Sequence, residues 1–96
     1  MTGAETFRPA VGTTFAASHV ELVLASVTDL SNDAFETFSL LFVGPAEPAL
    51  PQGTVELTHD TLGPLALFVV PVGRDATGMR YEAVFNRLRA GRELAG

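Results

Sequence analysis

Apolar residues in this chain recur at every second position, and almost nowhere at the three-and-four spacing of a helix. "TVELTH" (54–59) sets Val55, Leu57 and His59 on one side and Thr54, Glu56 and Thr58 on the other. "MRYEAVFN" (79–86) sets Met79, Tyr81, Ala83 and Phe85 opposite Arg80, Glu82, Val84 and Asn86. Side chains along a β-strand alternate between its two faces, so these stretches are half-buried strands. "HVELVLASV" groups Val20, Leu22 and Leu24 in the same way, and "FETFSLLFV" groups Phe38, Leu40 and Phe42. With turn signals at roughly ten-residue spacing, the pattern predicts an all-β fold, an antiparallel β-sandwich or small barrel of about six to seven strands. No substantial helix is expected.

The turns carry their own chemistry. In "LPQG" Pro51 presets φ, Gln52 is free to bond the backbone, and Gly53 suits a positive φ. This turn predicts a hairpin between the strand ending near Val43 and the one beginning at Thr54. "DTLG" places Asp60 first and Gly63 fourth, a type I arrangement in which the Asp60 carboxylate accepts the following amides. His59 precedes it in phase with Val55 and Leu57, so its ring is expected to cover the edge of the core. Asn86 and Arg87 end a strand, where a polar pair can tie down a neighbour. Pro51, Gln52, Gly53, His59, Asp60, Gly63 and Asn86 are thus read as determinants of turns and fold. Pro64 and Pro71 bracket "LALFVV", where their missing N–H groups cost least.

That strand breaks the simple alternation. An antiparallel sheet in a small soluble domain normally keeps one face wet, yet Leu65, Leu67 and Val69 oppose Ala66, Phe68 and Val70. Leu41 and Val43 oppose Leu40 and Phe42 in the same manner. Two arrangements account for such a strand. Either a second sheet and the amino-terminal segment with Phe7, Val11 and Phe15 cover both faces, or one face packs on another protein chain. Leu65, Leu67, Val69, Leu41, Val43 and Tyr81 are the expected partner contacts. Tyr81, the one tyrosine, is expected to lay its ring in the core with the hydroxyl at the rim.

Composition narrows the functional classes. The 96 residues carry a net charge of −5, with no lysine and no cysteine. An acidic surface is repelled by phosphate backbones and anionic lipid, so neither nucleic acid nor membrane is an expected partner. Disulfides and thiolate metal sites are ruled out. "MTGAETFRPA" has no basic segment leading into an apolar run. The longest apolar stretch, "PLALFVVPV", is far short of the roughly 20 residues that span a bilayer. The chain is expected to be cytoplasmic as synthesised and to form one domain over 1–96, with a core at 7–88 and a flexible tail at 89–96.

Catalytic arrangements find little support. His59 beside Asp60 lacks an obvious third partner, and the other histidine, His19, lies forty residues away without metal-ligand spacing. Glu21, Glu36, Glu56 and Glu82 occupy polar strand positions, where a solvated face explains them. No serine sits in a G-x-S-x-G setting. No enzyme activity, catalytic residue, metal site or cofactor is expected.

In order along the chain, "FSLLFVGP", "LPQGT", the His and "LG" of "HDTLG", "VPVGRDATG" and "YEAVFNR" form a specific string of motifs. Across about residues 7–88 the chain resembles a small uncharacterised bacterial domain family. Its members resemble accessory proteins encoded near phage-tail-collar (microcystin-dependent) fibre proteins. The resemblance implies no activity; it implies assembly, in a phage-like or extracellular structure. The expected function is a non-enzymatic structural or accessory protein that assembles with itself or with a phage-tail-like fibre protein. The alternative is a small β-sandwich module binding a ligand or peptide, although the chain has no Trp to build a sugar platform.

Overall fold

The computed structural model describes residues 3–17, 20–47 and 49–88, with only the backbone at 87–88. The tail expected at 89–96 and His19 lie outside the described residues. Six strands are present: β1 (Thr14–Ala16), β2 (Glu21–Asp29), β3 (Phe35–Gly44), β4 (Gly53–His59), β5 (Gly63–Asp75) and β6 (Gly78–Leu88). A one-turn helix, α1 (Ala4–Phe7), and a 3-10 turn over Arg8–Ala10 precede them. The strands close into a barrel in the order β1-β2-β3-β6-β5-β4, every neighbouring pair antiparallel. The all-β expectation holds, in its barrel form. β1–β2–β3 is one meander and β4–β5–β6 another, and β4 returns beside β1 as in a Greek key.

The expected β3–β4 hairpin does not form. β3 pairs along its whole length with β6, from Phe35↔Leu88 to Gly44↔Met79, and its other edge is taken by β2. With both edges used, β4 cannot join it, and the connection leads instead to the far side of the barrel. Two side chains hold that connection. The Leu50 amide donates to the Tyr81 hydroxyl at 2.7 Å, and Arg74 donates to the Ala46 carbonyl at 3.1 Å. Nor does β5 stop at Pro71. It continues to Asp75 through a bulge between Pro71 and Gly73, a place where a proline's missing N–H is tolerated.

A barrel of six strands is too narrow for a cavity and must be filled by side chains. Leu22, Leu24, Phe38, Leu40, Phe42, Leu57, Leu67, Val69, Tyr81 and Ala83 supply the filling, one row per strand. The amino-terminal segment does not cover the outer wall as the sequence reading allowed. Phe7 is fully buried, 6.0 Å from the Phe38 ring and 5.8 Å from Phe85, while Phe38 and Phe85 stack at 4.5 Å. Phe15 meets Phe42 edge-on at 5.3 Å. Each such side chain contributes on the order of 1.5–3 kcal/mol when fully buried. The segment therefore serves the interior.

The β5–β6 hairpin is tight at its tip, pairing Asp75 with Gly78. Asp75 accepts the Thr77 amide at 2.9 Å and the Thr77 hydroxyl, and receives Arg80 at 2.9 Å. These bonds, Thr77's first and Arg80's after them, hold the Asp75 carboxyl down at about 2 from its ordinary 3.8. Gly78 has φ +134°, and a Cβ there would fall onto the Gly44 carbonyl oxygen where β3 ends.

Two outcomes follow for the hairpin. Gly78→Ala should cost more than about 2 kcal/mol in urea unfolding, since strain and a backbone clash coincide; wild-type stability in this variant would refute the close approach. Because the folded Asp75 pKa is depressed, its stabilisation is complete above 3.8 and is lost as pH falls toward about 2. Thermal melts across that window should therefore fall less steeply for Asp75→Asn than for the wild type.

Candidate functional site

His59 ends β4 in phase with Val55 and Leu57, so alternation turns its ring into the barrel, where it is 7% exposed. Its centroid lies 4.5 Å from that of Phe15. The Thr13 hydroxyl donates to the Ala10 carbonyl and therefore accepts from His59 Nε2 at 2.8 Å. On the other side of the ring, Nδ1 accepts the amides of Thr61 at 3.1 Å and Leu62 at 3.2 Å. The hydrogen-bond pattern assigns the proton to Nε2. Both ring nitrogens are thus engaged in hydrogen bonds that tie neighbouring segments together.

His59 thus does what was expected of Asp60. The β4–β5 turn is capped from inside by imidazole, while Asp60 is exposed and Gly63 closes the turn at φ +76°. Residue types alone favour the carboxylate, and only the inward phase of His59 favours the ring. Asn86 accepts the hydroxyl of Thr37, its cross-strand neighbour, at 2.8 Å. Among the described residues no group of three or more His, Cys, Asp or Glu gathers to hold a metal, and no helix is long and apolar enough to cross a membrane.

The six expected partner contacts divide between two faces. Leu67, Val69 and Tyr81 are buried in the barrel, and Leu65 packs half-buried against the same core, so these four belong to the inside. Leu41 and Val43 point outward and are half-buried. The outward residues that join Leu41 come from the rows passed over in the sequence. The last β5–β6 rung is Val70↔Glu82, and Leu41 pairs with Glu82 from the opposite side. Two residues beyond that rung lie Phe68 and Val84, 54% and 60% exposed. On the outer wall Glu82 is therefore flanked by Leu41 and Val70 across the strands, with Arg80 and Val84 two residues to either side on β6 and Phe68 two residues past Val70 on β5.

A second feature lies at the start of β4. A cleft of about 410 Å³ is lined by Leu50, Pro51, Gln52, Gly53, Thr54, Val55, Glu56 and Ala17. The "LPQGT" motif thus forms most of one wall, with Gln52 and Pro51 exposed. Nothing in the sequence pattern announces this cleft, because the β3–β4 connection had to cross the barrel to make it.

These features define a small closed antiparallel β-barrel with a plugged interior, an apolar outer patch and a cleft beside one strand. By the match of a family model to residues 2–85, the chain belongs to the family described as Domain of unknown function (DUF6916). Comparison with curated proteins and with solved structures returned no match.

Replacing His59 tests its structural role. His59→Ala should lower unfolding free energy by about 2–4 kcal/mol, combining lost packing with two amides left without an acceptor. His59→Asn, whose amide oxygen can stand near the Nδ1 position, should recover part of that loss in the same urea titration. Equal stability of all three proteins would remove the ring from the turn's account.

Proposed function

We propose that this chain is a non-enzymatic accessory domain that docks on a different protein through the outer wall of β3, β6 and β5. The observation that carries this reading is Glu82 flanked by Leu41 and Val70 on the outer wall, with the exposed Phe68 and Val84 one step further along β5 and β6. Exposed apolar clusters are kept where they meet another surface, since in water they favour aggregation. A central carboxylate selects the partner. Two copies related by a twofold would bring Glu82 against Glu82 and leave both charges desolvated, whereas a partner offering Lys or Arg inside an apolar rim would pair with it.

The motif resemblance supports a fibre of the phage-tail-collar type as that partner. Such a fibre would be long and repetitive, and a small rigid barrel is suited to capping or chaperoning it.

Solution mass of the chain alone and mixed with the fibre product of an adjacent gene tests the proposal. The expected result is a monomer alone and a defined complex in the mixture. Phe68→Ser with Val84→Thr should leave the melting temperature nearly unchanged and weaken the complex at least about tenfold, or 1.4 kcal/mol. A complex indifferent to both substitutions would sink the proposal, as would a stable homodimer that they disrupt.

A further inference from the structure

We propose that the cleft at the start of β4 is a strand-addition site for an extended peptide that alternates aliphatic and basic residues. The site is separate from the outer patch around Glu82 and does not depend on it.

The argument begins with pairing. Along one edge, β4 pairs with β5 from Gly53↔Val69 to His59↔Gly63. Along the other edge, the described pairing is the single bridge Thr58↔Ala16. β1 ends at Ala16, and the Ala17 amide donates to the Val20 carbonyl at 2.8 Å, turning the chain back into β2. Among the described residues, the segment Gly53–Glu56 has no strand partner on that edge. At about 3.3 Å per residue this leaves on the order of 13 Å of strand edge, enough for a short added strand. Open edges of this kind recruit extended chains, with main-chain hydrogen bonds giving affinity and alternate side chains giving specificity.

The lining says which side chains. Val55 is half-buried and packs on the core, as does Ala17, and Leu50 is buried beneath them. Thr54 and Glu56 flank Val55 and are exposed. A strand laid in the track of β1 would put every second residue over the Leu50–Val55–Ala17 floor, where an aliphatic side chain fits. Its neighbours would face outward beside Thr54 and Glu56. Glu56 is the charged residue among the described lining, so a Lys or Arg at the outward positions is complementary. The volume of about 410 Å³ falls in the range of sites that take a small ligand or a few residues.

The test uses the whole chain and a fluorescein-labelled peptide, acetyl-Thr-Lys-Val-Lys-Val-Thr-amide, at low salt. Binding should be measurable by anisotropy at about 100 µM or tighter, with NMR amide shifts centred on Gly53–Glu56 and Ala17. A peptide with proline in place of its first valine, which cannot donate to the ladder, should bind at least about tenfold more weakly. Glu56→Lys, a change at an exposed side chain, should weaken the basic peptide and favour its Glu-for-Lys counterpart. Failure to bind at millimolar peptide, equal binding of the proline peptide, or shifts centred on Phe68 and Val84 would each overturn the proposal. Because the proline comparison uses wild-type protein, it decides the matter even if Glu56→Lys does not fold.

Discussion

A barrel this narrow has room for one row of side chains from each strand, and that limit organises the whole molecule. Phe7, Phe15, Phe38, Phe42 and Tyr81 take up most of the space, each in contact with a ring or chain from a distant part of the sequence. Once these rings fill the centre, the remaining apolar rows of β3, β5 and β6 have nowhere to go but outward. The exposed Phe68 and Val84 are therefore a consequence of a core that is already full.

Two polar side chains work inside this apolar filling, and both act on connections. Tyr81 sends its hydroxyl to the Leu50 amide and so fixes the long passage from β3 to β4. His59 spans from Thr13 to the amides of Thr61 and Leu62, joining the entry to β1 with the β4–β5 turn. In each case an aromatic body fills the barrel and a polar tip gives a backbone amide its acceptor. Such bonds supply direction where hydrophobic burial supplies bulk, and they place the "LPQGT" segment where it can border a cleft.

The two candidate surfaces follow from this same closure. The outer patch exists because β5 and β6 diverge beyond the Val70–Glu82 rung while carrying apolar residues on their outer faces. The cleft lies where β4, with seven residues, runs alongside a β1 of only three. Each is a place where the geometry of closure leaves a mismatch, and partners are most readily accommodated at mismatches of that kind. The proposed docking role and the proposed strand addition would let one small barrel hold two segments at once.

Period-two alternation was enough to locate strands β2, β3, β4 and β6, and the glycines at 53 and 63 marked turns, because both signals are local. They depend on side-chain spacing and on φ, which the chain carries wherever it lies. Which of two apolar rows faces inward is not local, and so Leu67 and Val69 were legible as apolar but not as interior, whereas the lone Tyr81 was already read as a core ring. Nor could turn chemistry reveal that β3 would spend both edges on β2 and β6, leaving "LPQG" to open a crossing and not a hairpin. The choice of His59 over Asp60 as the turn's acceptor was likewise settled only when the barrel closed around the ring. Sequence by itself determined where the chain is extended and where it bends; tertiary structure decided what each face meets, because burial is a property of neighbours brought from far along the chain.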